Sequence, residues 1–217
     1  EHAVKMAEDA GMTGSERRAI VLAHPEWHAG VIGIVCSRLI DRFHRPTILL
    51  QLKDGHAHGS GRSVEGFSLH AALERCSHHL LTFGGHDMAA GLKLDAARLD
   101  AFTEAFTADA NSRIRPDELV GTLKFDCEAR LEELTAAAVG QLETLAPFGV
   151  GNPRPKLHVP GLRLERNPQP LGSTGKHLAL MVKQGGRSMR CVAWNWVDRR
   201  DFLAAGVELD AIVSPRI

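Results

Sequence analysis

Three short glycine-bearing segments hold the residues best suited to chemistry: His28-Ala29-Gly30, Gly59-Ser60-Gly61-Arg62-Ser63 and Gly84-Gly85-His86. The first precedes a stretch of helical apolar periodicity, and the free N–H groups of a helix start favour an anion. The second offers backbone N–H groups, two hydroxyls and a guanidinium, all ligands for phosphate oxygens. The third lets backbone approach a ligand closely while a donor side chain points at it. Each alone reads more readily as an ordinary turn. Three in one region point to phosphate binding, with Ser60, Arg62, Ser63 and His86 as leading candidates. Gly84 and Gly85 serve as backbone donors, and His28 and Gly30 stand second in rank.

Other chemistries find less support. Among twelve histidines the metal-ligand candidates are His56 with His58, His78 with His79, and His24 with His28. Pro25 breaks helical spacing in the last pair, and Asp54 and Asp87 complete no ligand set. No metal is expected to bind here. The sequence has no G-x-S-x-G elbow, no phosphate loop ending in Gly-Lys-Ser/Thr, and no G-x-G-x-x-G opening a helix. Cys36, Cys76, Cys127 and Cys191 are too scattered for a metal or redox motif. They read as reduced, mostly buried thiols of a cytoplasmic protein.

The elements that must position these residues follow from periodicity. Residues 2–12 read as the end of a helix, with residues 1–14 joining this region to something before it. Residues 18–23 (RAIVLA) and 47–52 (TILLQL) read as strands, the second buried and parallel. Between them Ile32, Val35, Leu39 and Phe43 give residues 31–44 one apolar helix face, ended by Pro46. Residues 56–63 read as a strand running into a loop. Residues 69–81, 96–113 and 131–145 read as helices, and 121–127 as a strand. The alternation implies an α/β or α+β domain over residues 15–147.

Six of the ten prolines fall between Pro147 and Pro170. That shift in composition places a linker at residues 148–157. Beyond it, over residues 158–217, strands are expected at 157–167, 177–183, 188–196 and 209–214, with Gly185-Gly186 as a hairpin turn. Four strands make an all-β, OB-like barrel cut short, since an OB-fold needs five.

The 217 residues are 44% hydrophobic and 24% charged, the profile of a soluble globular chain. No apolar run reaches the ~20 residues that span a bilayer. The start at Glu1 is polar and lacks Met, so the sequence reads as a fragment without a signal peptide. Residues 1–149 carry 15 Lys and Arg against 21 Asp and Glu, and residues 150–217 carry 11 against 5. A basic tail suits a nucleic acid, or docking on the acidic first part. Arg163, Lys183, Arg187 and Arg190 are its candidate phosphate contacts. Trp194 and Trp196, two apart in an expected strand, share a face and are expected in the barrel core, with base stacking as the alternative.

WHAGVIGIVCSRLIDRFHRPTILL (residues 27–50), GSGRS (59–63), FGGHDMAAGLKL (83–94) and PFGVGNPRP (147–155), in this order, resemble the C-terminal half of the RecJ family of single-strand-specific exonucleases. The middle part resembles the DHH-associated domain, marked by its GGH segment. The tail, with Gly175-Lys176-His177-Leu178 opening a strand, resembles the family's OB-fold. The resemblance implies a Mn2+- or Mg2+-dependent 5′→3′ exonuclease of single-stranded DNA, acting in repair and recombination. It implies metal ligands in a separate domain with an Asp-His-His motif, and no such triplet occurs here. The fragment alone is therefore expected to be inactive and to clamp substrate. Implied partners are single-stranded DNA, a single-strand-binding protein and a helicase, with no membrane. Two alternatives stay open: another DHH-superfamily phosphoesterase acting on short oligonucleotides or cyclic dinucleotides, and a non-enzymatic nucleic-acid-binding module.

Overall fold

A computed structural model describes all residues, 1–217, and the chain divides into two compact units, Glu1–Gly121 and Thr122–Ile217. The first unit contains helices α1 (His2–Asp9), α2 (Ala29–Phe43), α3 (Leu69–Arg75) and α4 (Leu99–Arg113). Its strands are β1 (Ile20–His24), β2 (Thr47–Lys53), β3 (His56–Arg62), β4 (Thr82–His86) and β5 (Ala89–Asp95). They form one mixed sheet in the order β1-β2-β3-β5-β4, with β1 and β2 parallel and every other pair antiparallel.

Alternation along the strands gives the sheet two faces. One packs Ile48, Leu50, Ala57, Leu92 and Leu94 against Leu69 and Leu73 of α3 and Phe102 and Phe106 of α4. The other packs Ile20, Leu22 and Leu49 against Ala3 and Ala7 of α1 and Ile32, Cys36 and Leu39 of α2. The helix of residues 2–9 thus belongs to the core of the first unit.

The expected strand-to-loop change within residues 56–63 does not occur. β3 runs unbroken through Arg62, paired with β2 on one side and β5 on the other. Its glycines are packing devices. A methyl group at Gly59 would meet the Leu49 carbonyl oxygen at 1.9 Å, and one at Gly61 would meet Leu69 Cδ2 at 2.8 Å. Gly84-Gly85-His86 is likewise strand, in β4, paired with residues 89–91.

The second unit contains α5 (Ala136–Glu143) and strands β6 (Cys127–Glu128), β7 (Leu157–Leu164), β8 (Gln169–Leu171), β9 (His177–Gln184), β10 (Arg187–Ala193) and β11 (Glu208–Val213). The main path is β10-β9-β7-β11; β6 pairs with β7 and β8 with β9. The sheet does not close into a barrel, consistent with an incomplete OB-like fold. Gly185-Gly186 forms the two-residue turn of the β9–β10 hairpin, flanked by the Gln184–Arg187 pair.

The division of the chain comes earlier than the prolines suggest. Residues 121–126 are irregular and only Cys127–Glu128 is strand. Leu131 and Leu134 then bury into the core of the second sheet with Val159, Leu162 and Leu178. Residues 147–156 are a fastened loop. Asn152 donates to the carbonyls of Leu145 and Pro147, and the Arg154 guanidinium lies 4.3 Å from the Phe148 ring. Proline density marked a rigid turn inside the unit.

Candidate functional site

The register of the first sheet arranges the candidate residues in rungs on its α2-side face. One rung runs Thr47, Arg62, Ala89, His86 across β2, β3, β5 and β4. The next runs Leu49, Ser60, Gly91, Gly84, and the third Gln51, His58, Lys93, Thr82. Helix α1 packs on β1, and α2 lies over β2 and β3. Over β5 and β4, Gly91, Gly84 and His86 are exposed. Arg62 and His86 therefore share a face two strands apart, about 10 Å between Cα atoms at ordinary strand spacing. Only the methyl group of Ala89 stands between them.

Arg62 is held from two sides. Its Nη1 donates to the Gly61 carbonyl at 2.8 Å. Its Nη2 lies 3.0 Å from where a side chain at Gly33 would begin, so the guanidinium rests on the second turn of α2. His86 is positioned through its neighbour. Ser68, the N-cap of α3, accepts from Ala71 N–H and donates to Asp87 Oδ1 at 2.5 Å. The Asp87 carbonyl also accepts from Leu69 N–H. Gly85, at φ 145°, has no room for a side chain, since a methyl group would meet the Ala89 carbonyl oxygen at 2.3 Å.

Two candidates take other roles. Ser63 is buried at 5% exposure, and its hydroxyl donates to the Phe67 carbonyl at 2.6 Å while its N–H donates to the Met88 carbonyl. It ties the end of β3 to the β4–β5 turn, and its hydroxyl proton is already committed, leaving none to donate to a phosphate. His28 is the N-cap of α2, its Nδ1 accepting from Gly30 N–H at 3.1 Å. The imidazole itself occupies a helix-start donor that was expected to await an anion. Ser60 is half-buried, its carbonyl accepting from Cys36 Sγ. Burial pushes the Cys36 thiol up to about 12, against opposing pulls from the Leu49 backbone and then Arg62.

The histidine pairs do not converge on a metal. His56 faces Asp95 at 3.6 Å, the His78 and His79 rings lie 4.0 Å apart at a 45° tilt, and His24 packs edge-on to His2 at 4.7 Å. Nowhere do three His, Cys, Asp or Glu side chains gather as ligands. The thiols are less uniform than expected: Cys36 and Cys76 are buried, Cys191 is half-buried and Cys127 is exposed.

In the second unit the register sorts the basic residues. Arg163 pairs with Lys183 across β7 and β9, and Ser188 faces Lys183 from β10. These, with Arg190, project from the face opposite the core. Arg187 lies in register with Gln184 and shares the other side. An open cleft of about 720 Å³ is lined by Arg163, Lys183, Glu165, Gly185 and Gly206. Neither tryptophan is in the core. Trp194 is 65% exposed and Trp196 40%. β10 stops at Ala193, and Asn195 takes a left-handed φ of 59°, so the two never share a strand face. Trp194 packs edge-on against His177 at 4.8 Å, and Arg199 lies 5.0 Å from the Trp196 ring.

The architecture defines a mixed α/β unit followed in sequence by an incomplete OB-like β unit. The family model of the DHHA1 domain matches residues 16–112, and that of the RecJ OB domain matches residues 125–217. The single-stranded-DNA-specific exonuclease RecJ of Bacillus subtilis (strain 168) is 30% identical over 214 residues, 98% of this chain and 27% of its own length. That of Dickeya dadantii (strain 3937) is 37% identical over 183 residues, 81% of this chain and 31% of its own. The crystal structure of RecJ from Thermus thermophilus in complex with Mg2+ superposes with a TM-score of 0.70 at 30% identity, covering 97% of this chain and 32% of that one. A Mn2+ complex of the same protein gives 0.69. The chain belongs to the RecJ family and carries its DHHA1 and OB domains, without the catalytic DHH domain. It spans under a third of the length of these relatives.

Proposed function

We propose that this chain is the substrate-holding part of a metal-dependent 5′→3′ exonuclease of single-stranded DNA, acting in repair and recombination. The observation that carries the reading is the rung that sets Arg62, half-buried beside α2, and His86, exposed, on one face with Ala89, Gly91 and Gly84 between and beside them. A held guanidinium and an exposed imidazole about 10 Å apart can grip the phosphate of a strand end and counter charge that builds on it during cleavage. No three His, Cys, Asp or Glu side chains gather here, and this reading gives the metal and bond breaking to residues outside this chain. The second unit holds the following nucleotides, with Arg163, Lys183 and Arg190 on phosphates and Trp194 under a base. In this reading the enzyme is cytoplasmic and acts on strands opened by a helicase and bound by a single-strand-binding protein.

The test is made in the full-length enzyme. Arg62→Ala and His86→Ala should each lower turnover on a 5′-labelled single strand by ~10²-fold or more. Far-ultraviolet dichroism should be unchanged. Near-wild-type turnover in both variants would reject the reading. The 217-residue chain alone, supplied with Mn2+, should leave the same strand intact.

A further inference from the structure

The exposed sheet face continues past Arg62 and His86, and its other end is also cationic. We infer that Lys93 and His58 form a second phosphate subsite, so that the face takes a nucleotide with the phosphates on both its sides. The inference rests on the reading of Arg62 and His86 given above.

Three features support it. First, the rungs are equally spaced and sharply different. The Arg62–His86 rung and the His58–Lys93 rung lie four residues apart along β3, about 13 Å at strand rise. Between them lies the Ser60–Gly91–Gly84 rung, which bears one small side chain. Second, that middle rung is open. A methyl group built on Gly84 meets nothing within 4 Å, and one on Gly91 meets only the Gly59 carbonyl at 3.8 Å. Unlike Gly59 and Gly85, these two glycines are not required by packing, and neither has a positive φ. A strand interior without packing demand ordinarily carries a β-branched residue. Glycine here keeps a trough bare, with room for a sugar lying flat on the backbone. Third, the far bank is not neutralised. Lys93 and His58 face each other in register with no ion pair between them and any carboxylate. The nearest carboxylate of the face, Asp95, faces His56 at 3.6 Å. A lysine across from a histidine, with Thr82 and Gln51 beside them in the rung, is a donor set for an anion.

Two ligands and four substitutions decide it. Thymidine 5′-monophosphate carries one phosphate, and the 5′-phosphorylated thymidine dinucleotide carries a second on the far side of the first sugar. Dissociation constants are read from the backbone amide shifts of Gly84 and Gly91 in the 217-residue chain, which isolates this face from the second unit. The dinucleotide should bind about tenfold more tightly than the mononucleotide, the scale of one added charge-assisted contact. Lys93→Gln should abolish that advantage while leaving the mononucleotide unchanged, and Lys93→Arg should keep it. Gly91→Val should weaken both ligands about tenfold with dispersed, native spectra. Arg62→Ala should weaken both as well. If Arg62→Ala weakens binding while Lys93→Gln leaves the dinucleotide advantage intact, the second subsite is wrong and the first reading stands. If Arg62→Ala has no effect, or neither ligand moves the Gly84 and Gly91 amides, the first reading falls and this inference with it.

Discussion

Ser63 shows how a residue's chemistry and its job can part. Its hydroxyl stands one position from Arg62, and in sequence it reads as a phosphate ligand. In the fold it is buried and donates to the Phe67 carbonyl. Burial parity decides this: residues 57, 61 and 63 turn to the α3–α4 side, while 58, 60 and 62 turn to the open face. Ser63→Ala should cost about 1 kcal/mol, the net worth of one buried hydrogen bond. The loss should appear as a melting temperature several degrees lower, with wild-type nucleotide affinity well below the transition. A large affinity loss without a thermal shift would return Ser63 to the site. The thiols give a second residue-scale test. Burial pushes Cys36 up to about 12 and Cys76 up to about 11, from an ordinary 9.0 in the unfolded chain. The native state therefore keeps protons that the unfolded state releases above pH 9. Their stabilising contribution is complete below pH 9 and is lost as pH rises through 11 and 12. The urea midpoint should fall between pH 9 and 11, and a maleimide at pH 7 should label Cys127 well before either buried thiol.

Elements were more legible than the details of their ends. The apolar period of α2 and the continuous run of β2 are strong signals, since each is a long stretch with one burial demand. The glycine segments misled because glycine marks two opposite situations, a free turn and a crowded strand. Gly59 is the second kind, and only the register with Leu49 reveals it. The same register that was hidden in the sequence makes the candidate face, because it brings β3 and β4 together across β5. A graded glycine series follows from the contacts. Gly59→Ala collides with backbone and should cost several kcal/mol or prevent folding. Gly61→Ala pushes only on the Leu69 side chain and should cost less. Gly84→Ala meets open space and should leave stability within about 0.5 kcal/mol of wild type. Equal unfolding midpoints for all three would mean that β3 is not a packed central strand.

At the scale of the whole molecule, charge asymmetry was legible but overstated. With the division between Gly121 and Thr122, the second unit carries 13 Lys and Arg against 10 Asp and Glu, and the first 13 against 16. An excess of three cannot by itself select a single strand of DNA. Placement bears on it: Arg163, Lys183 and Arg190 share the outward face, with Glu208 across from Arg163 and Glu165 accepting from Ser188 as the carboxylates beside them. Three phosphate contacts at about −0.7 each predict a slope near −2 for log affinity against log salt on a fluorescent oligothymidylate. Lys183→Ala should make that slope shallower by about 0.7. Trp194 should act differently. Its ring is exposed and braced edge-on by His177, the arrangement of a platform that a base can cover. Trp194→Ala should weaken binding by ~1–3 kcal/mol without altering the slope, because stacking releases no counterions. It should also leave the fold intact, since the side chain fills no core. A flat salt dependence, or equal affinity for duplex DNA, would defeat the electrostatic grip. Unchanged affinity in Trp194→Ala would mean that the exposed ring serves something other than an unpaired base.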